Sequence, residues 1–169
     1  MPISNFPRLR FTDIYETEVL DKSTGTGFFV AADPVTAEAS TNTHTSMVSM
    51  HGVKQLDIFI DVTNNPGGGS EKLFVKVRFS GKEAPSTSTL SDWGYIQVDN
   101  ISANHGISQV KEYLVEIDLT KVNNTNSSDP RRYLVRIDQI SGAWASAIVW
   151  SDTANVNGKV YFQRQGGGM

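Results

Sequence analysis

The residues best suited to chemistry in this chain are three histidines, His44, His51 and His105, and carboxylates set into alternating apolar segments. No histidine stands in an HxH, HxxxH or HExxH spacing with acidic companions, the arrangements that converge imidazoles on zinc or iron. They read as exposed loop histidines. A serine nucleophile on an α/β-hydrolase sheet needs the Gly-x-Ser-x-Gly elbow, and the sequence has none. Asp57 and Asp61 share one strand parity, and Asp118 and Asp138 end two matching hexapeptides. Paired carboxylates about 5–10 Å apart in a cleft would suit glycoside hydrolysis, and several converging oxygens would suit calcium. Alternation instead puts these four on solvent-facing positions, in reach of Lys76, Arg78 or Arg136. Solvated ion pairs are therefore expected, with no catalytic residue, no metal site and no cofactor.

Aromatic residues are the second candidate chemistry, because stacked rings on a sheet face hold sugars and large exposed rings anchor protein contacts. Trp144 and Trp150 share parity with Ile148 and read as core or core edge. Trp93 lies in the polar loop Ser91-Asp92-Trp93-Gly94, near Tyr95, and reads as an exposed anchor. Phe59 and Phe74 occupy the charged parity of their segments, where a face open to water usually carries polar residues. Either a second layer or another subunit should cover them. Phe6 and Phe11, in the N-terminal stretch, join Phe59, Phe74 and Trp93 as expected partner-binding residues.

The elements that position these groups are strands. Leu56, Ile58, Ile60 and Val62 alternate with Asp57, Phe59 and Asp61; Leu73, Val75, Val77 and Phe79 alternate with Phe74, Lys76 and Arg78. Period two of this kind marks half-buried strands. The cluster Asn64-Asn65-Pro66-Gly67-Gly68-Gly69 between them reads as a hairpin connection, pairing two acidic with two basic positions. Tyr113-Leu114-Val115-Glu116-Ile117-Asp118 and Tyr133-Leu134-Val135-Arg136-Ile137-Asp138 differ at one position only, Glu116 against Arg136. They read as neighbouring strands with that charge pair as a register device. Trp144, Ser146, Ile148 and Trp150 form a candidate inward row, and Asn157-Gly158 a turn before Val160 to Gln163. Helical periodicity is not sustained anywhere. The expected fold is an all-β antiparallel sandwich of jelly-roll or Greek-key type.

Residues 51–165 form the expected sandwich domain. Residues 1–50 read either as edge strands with long loops or as an extended arm ordered by a partner, and residues 166–169 as a flexible tail. A chain of 169 residues suits one domain with a real core. Zero cysteines remove disulfides, zinc-thiolate sites and thiol nucleophiles. A net charge of −3 gives no global attraction to nucleic acid or to anionic membranes. No apolar run follows a basic start and none is long enough to span a bilayer, so synthesis in the cytoplasm is expected.

The long alternating pair Leu56 to Val62 and Leu73 to Ser80 is followed by a tryptophan-bearing loop and the Tyr-led strand ending in Asp. Arg132 to Asp138 and the Ser141-Gly142-Ala143 entry to a small-residue strand come after these. In this order the chain resembles, over about Gln55 to Gln165, the jelly-roll accessory proteins of tailed-bacteriophage virions, which decorate or cement heads or sit on tails. The resemblance implies a non-enzymatic capsid decoration or cement protein located in the virion. It also implies contacts with the major capsid protein or other virion proteins and homo-oligomerisation, with a trimer favoured. No family site residue carries over individually. The alternative is a carbohydrate-binding module or receptor-binding tail component that meets a surface glycan; a polysaccharide glycosidase or lyase ranks third.

Overall fold

The structure, a computed structural model, describes residues 15–64, 71–95, 97–99, 110–112, 114–119, 131–138, 140, 142–152 and 156–166. Among the described residues the elements run in the order β1 (Thr17–Lys22), α1 (Pro34–Ala39), β2 (Val48–Ser49), β3 (Val53–Asn64), β4 (Lys72–Ser80), β5 (Gly94–Tyr95) and β6 (Gln97–Asp99). They continue with β7 (Val110–Glu112), β8 (Leu114–Asp118), β9 (Arg131–Ile137), β10 (Trp144–Ser151) and β11 (Asn157–Gly166). Sheet I has the order β1-β11-β3-β9. Sheet II has the order β2-β10-β4-β5, with β8 beside β5 on the same edge of β4. Strands β6 and β7 form a separate ribbon.

The pairing is nested. β1 pairs with β11, β2 with β10, β3 with β9 and β4 with β8, every pair antiparallel. One long ribbon, folded at its middle and rolled, has this connectivity, and it makes the sandwich a jelly roll. The two inner faces meet as the alternation requires. Leu56, Ile58, Ile60 and Val62 of β3 face Leu73, Val75, Val77 and Phe79 of β4, with Ala145, Ala147 and Val149 of β10 and Val160 and Phe162 of β11 completing the core.

Two expected neighbour relations are corrected. β3 and β4 are not a paired hairpin; they lie in opposite sheets and touch through the core. The twin hexapeptides are not paired either: β8 hydrogen-bonds to β4 and β9 to β3. Glu116 therefore meets Lys72 rather than Arg136, and Arg136 meets Asp57. Tyr113 lies outside the described residues. Asn157 and Gly158 do not form a turn but open β11 at a register shift opposite Asn64 and Val62.

The first fifty residues supply structure from Tyr15 onward. β1 and β2 occupy an edge of each sheet, and Val19, Phe28, Val48 and Met50 are core residues. Residues 15–50 cannot be removed without opening that core. The connection between β1 and β2 holds α1, started by Asp33, whose Oδ1 accepts from Thr36 N–H at 2.8 Å, with Pro34 following. Gly166 ends β11 in register with Val53.

Candidate functional site

The outer faces of the two sheets differ in how far the rest of the chain covers them. On sheet II the outward row of β4 and β10 contains Phe74, Lys76, Arg78, Ser146, Ile148 and Trp150. Most of these should meet water, yet Lys76 is 2% and Arg78 0% exposed. Residues 29–45 lie over them as a second layer. Ala31, Ala37, Ile148 and Trp150 form a small second core, with Phe29 and Phe74 against it, and Phe74 stacks on Trp150 at 5.3 Å between ring centroids. The row Trp144, Ser146, Ile148 and Trp150 thus points away from the main core, not into it. Phe74 is partly covered from within the chain, by the second layer that was one of its two expected covers.

Trp93, expected as an exposed anchor, is corrected. It is 7% exposed, its Nε1–H donates to the Ser86 carbonyl at 2.8 Å, and the Arg78 guanidinium lies 4.6 Å from its ring centroid. The loop 81–93 folds back over β4 because Asp92 ties it together, accepting from Ser86 N–H at 2.9 Å and pairing with Lys82. Those contacts hold the Asp92 carboxyl below its ordinary range, Lys82 foremost. Trp93 and this loop form a lid over Arg78, whose Nη2 donates to the Thr87 carbonyl at 2.8 Å and to Ser146 Oγ at 3.2 Å. Trp93→Phe keeps the ring over Arg78 but loses the Nε1 bond, so a urea-midpoint loss equivalent to about 1 kcal/mol is expected.

Sheet I carries no second layer among the described residues. Its central outward row is Leu134 (β9), Phe59 (β3), Tyr161 (β11) and Glu18 (β1), directly cross-strand neighbours. Leu134 is 49% exposed. Arg132 reaches across this row: Nε and Nη2 donate to Asp61 at 2.6 and 2.8 Å and Nη1 donates to Glu16 at 2.7 Å. Its guanidinium sits 5.2 Å from the Phe59 ring and 5.7 Å from Tyr161. Asp61, then Glu16, hold that guanidinium above its usual range.

A second row holds Asp57, almost wholly buried although it points outward. Arg136 grips it with two bonds at 2.9 and 3.1 Å, and the Gln55 and Gln165 amides donate at 3.1 and 2.7 Å. At the β1 edge Lys159 joins Glu18 at 3.0 Å and Asp21 at 2.9 Å. The Ser23 hydroxyl, then Lys159, keep the Asp21 carboxyl well below the usual carboxylate range. The carboxylates Asp57 and Asp61 are therefore ion-paired, as alternation suggests, but to β9 rather than to β4. Asp138 is exposed, and Asp118 belongs to the other sheet.

The face that results is an apolar row flanked by two bidentate ion pairs, Arg132 with Asp61 and Arg136 with Asp57. Phe59 is the one expected partner residue that the described structure leaves on an uncovered face. Leu134, Tyr161 and Arg132 join it there; their signal was their shared parity, legible only once β9 and β11 were known to flank β3. Phe6 and Phe11 lie outside the described residues, as does His105. His51 is exposed in a turn, and His44 is half-buried with Nε2 2.9 Å from the Glu38 carbonyl. No group of three or more His, Cys, Asp or Glu among the described residues has a metal-binding arrangement. No protein-family model matches the sequence, and no curated protein matches it at a significant level.

Proposed function

We propose that this chain is a structural component of a tailed-phage virion, a head decoration or cement protein that bridges capsid subunits through the outer face of sheet I. The observation that carries the reading is the asymmetry of cover. Sheet II is roofed by residues 29–45 and 81–93, whereas sheet I presents Leu134, Phe59 and Tyr161 in one row between ordered ion pairs. The jelly roll adds support, since it recurs in viral capsid and lectin domains, but fold alone does not set function. Burying the exposed parts of these three side chains removes under about 100 Å² each, worth a few kcal/mol together before association costs. The working form is a homo-oligomer, with a trimer favoured, and its partner is the major capsid protein or another virion protein.

The test is sedimentation of the purified chain with assembled, undecorated heads of a tailed phage, those of its own source first. Wild type should pellet with the heads at a fixed stoichiometry, and Leu134→Asp should reduce occupancy at least tenfold with its thermal unfolding unchanged. Failure of the wild-type chain to pellet would sink the reading, and native mass spectrometry reads the oligomer number. The glycan-binding alternative loses its best platform, because Trp93 is buried and Arg132 occupies the faces of Phe59 and Tyr161. A glycan-array signal lost in Tyr161→Ala would restore it.

A further inference from the structure

The roof over sheet II is held down by an ion pair and by polar contacts around one histidine. Glu38, on α1, pairs with Lys76 of β4 beneath it. Six residues on, His44 follows the turn of residues 41–43, and its backbone bridges to Ile148 of β10. Its Nε2 lies against the Glu38 carbonyl, while Nδ1 is buried without a hydrogen-bond partner among the described residues. α1 presents the Glu38 carboxylate and carbonyl, and β4 presents Arg78, with Lys76 two residues along. The loop 81–93 presents the Thr87 carbonyl, and β10 presents Ser146, which does not titrate. Burial holds the imidazole below its usual range, and Arg78 adds to this, while the Glu38 carbonyl, the Thr87 carbonyl and the Glu38 charge oppose it. The Thr87 carbonyl accepts from Arg78, so a proton on His44 would set a second cation close to the Arg78 guanidinium.

We propose that residues 29–45 are a pH-gated strap: proton uptake by His44 lifts them from sheet II and bares Trp150, Phe74 and Ile148 to a partner or to water. The sign follows from linkage. The neutral form is favoured with the strap closed, so above about pH 6.5, the ordinary value for histidine, the strap stays shut. Below that pH an opened strap binds the extra proton and gains on the closed one, until the closed form also protonates. The ends of the strap are bonded to β10, Ala31 N–H to the Ser151 carbonyl and Thr45 N–H to the Ala147 carbonyl, both at 2.9 Å, so opening strips those bonds from β10 while the inner faces of the two sheets stay packed.

Hydrogen exchange of the whole chain, read by mass spectrometry at several pH values and corrected for intrinsic rates, tests this. Between pH 6.5 and 5.5, protection of peptides within 29–45 should fall with a slope approaching, and never exceeding, about tenfold per pH unit, the limit for one proton. Peptides from β3 and β11 should keep theirs. His44→Gln, whose amide can still donate to the Glu38 carbonyl but cannot gain a proton, should abolish the fall. If that variant does not fold, the wild-type His44 ring can be followed by NMR. Its titration midpoint should then coincide with the midpoint of protection loss. Constant protection, a fall that persists in His44→Gln, non-coincident midpoints, or a fall removed by Glu38→Gln alone would each overturn the proposal. None of these outcomes depends on capsid binding.

Discussion

Gly158→Ala is expected to destabilise the protein by about 3 kcal/mol or more, at the upper end of overpacking costs. A Cβ at this position would stand 2.3 Å from the Asp61 carbonyl oxygen and 2.9 Å from the Phe28 ring. The carbonyl belongs to β3, the strand paired with β11, so relief requires moving backbone rather than rotating a side chain. Phe28 is equally constrained, since its N–H donates to the Val156 carbonyl at 2.8 Å and its ring lies in the core. Gly81→Ala is the control: nothing lies within 4 Å of its Cβ, and no measurable loss is expected. Gly52→Ala falls between them, with open space but a φ of +72°, a strain of roughly 1–2 kcal/mol for a residue bearing a Cβ. Denaturant titration of the three variants should give that order. Equal midpoints for Gly158→Ala and Gly81→Ala would remove the packing argument.

The second large effect is expected at the roof. Glu38→Ala takes away the carboxylate that meets Lys76, a lysine 2% exposed on the outer face of β4. Breaking a buried pair from one side costs about 3–5 kcal/mol. Because Glu38 itself stays partly wetted at the rim, the low end, about 3 kcal/mol, is expected. The double variant Glu38→Ala/Lys76→Met should recover most of that loss, since an apolar side chain suits the neighbouring Phe74 and Trp150 cluster. A double-mutant cycle in urea measures this, and a loss below about 1 kcal/mol in Glu38→Ala would mean that Lys76 is held mainly by its other contacts.

The alternation of β3 and β4 was legible because the period reports which side of a strand faces oil. It does not report which strand lies alongside. Asp57 and Asp61 read correctly as outward ion-paired groups, but their cations came from Arg136 and Arg132, distant in sequence, and not from the next strand. The hairpin reading failed because nested pairing sets sequence neighbours across the sandwich from each other. Likeness of the twin hexapeptides reflects two strands in equivalent half-buried settings in different sheets.

Cover was the other illegible property. Phe59 and Phe74 present the same pattern in sequence, an aromatic among charges, yet one meets a second layer and the other meets a guanidinium. Trp93 looked exposed because its loop is polar, but that polarity is spent inside the loop, on Asp92, Ser86 and Lys82. His44 carried no motif, and its setting arises only when α1, β4 and the 81–93 loop converge.

The nested pairing also orders events at the ribosome. β11 lies between β1 and β3, so the N-terminal strand of sheet I, held early only by the Ser46 N–H on its Val19 carbonyl, has no partner strand until β11 has been made. Until then β1, Phe28 and the inner face of β3 must wait with open edges, a state that favours slow folding and invites pairing between nascent chains. Translation halted before Asn157 would yield no folded subdomain, only an unclosed half-roll that quality-control proteases can recognise.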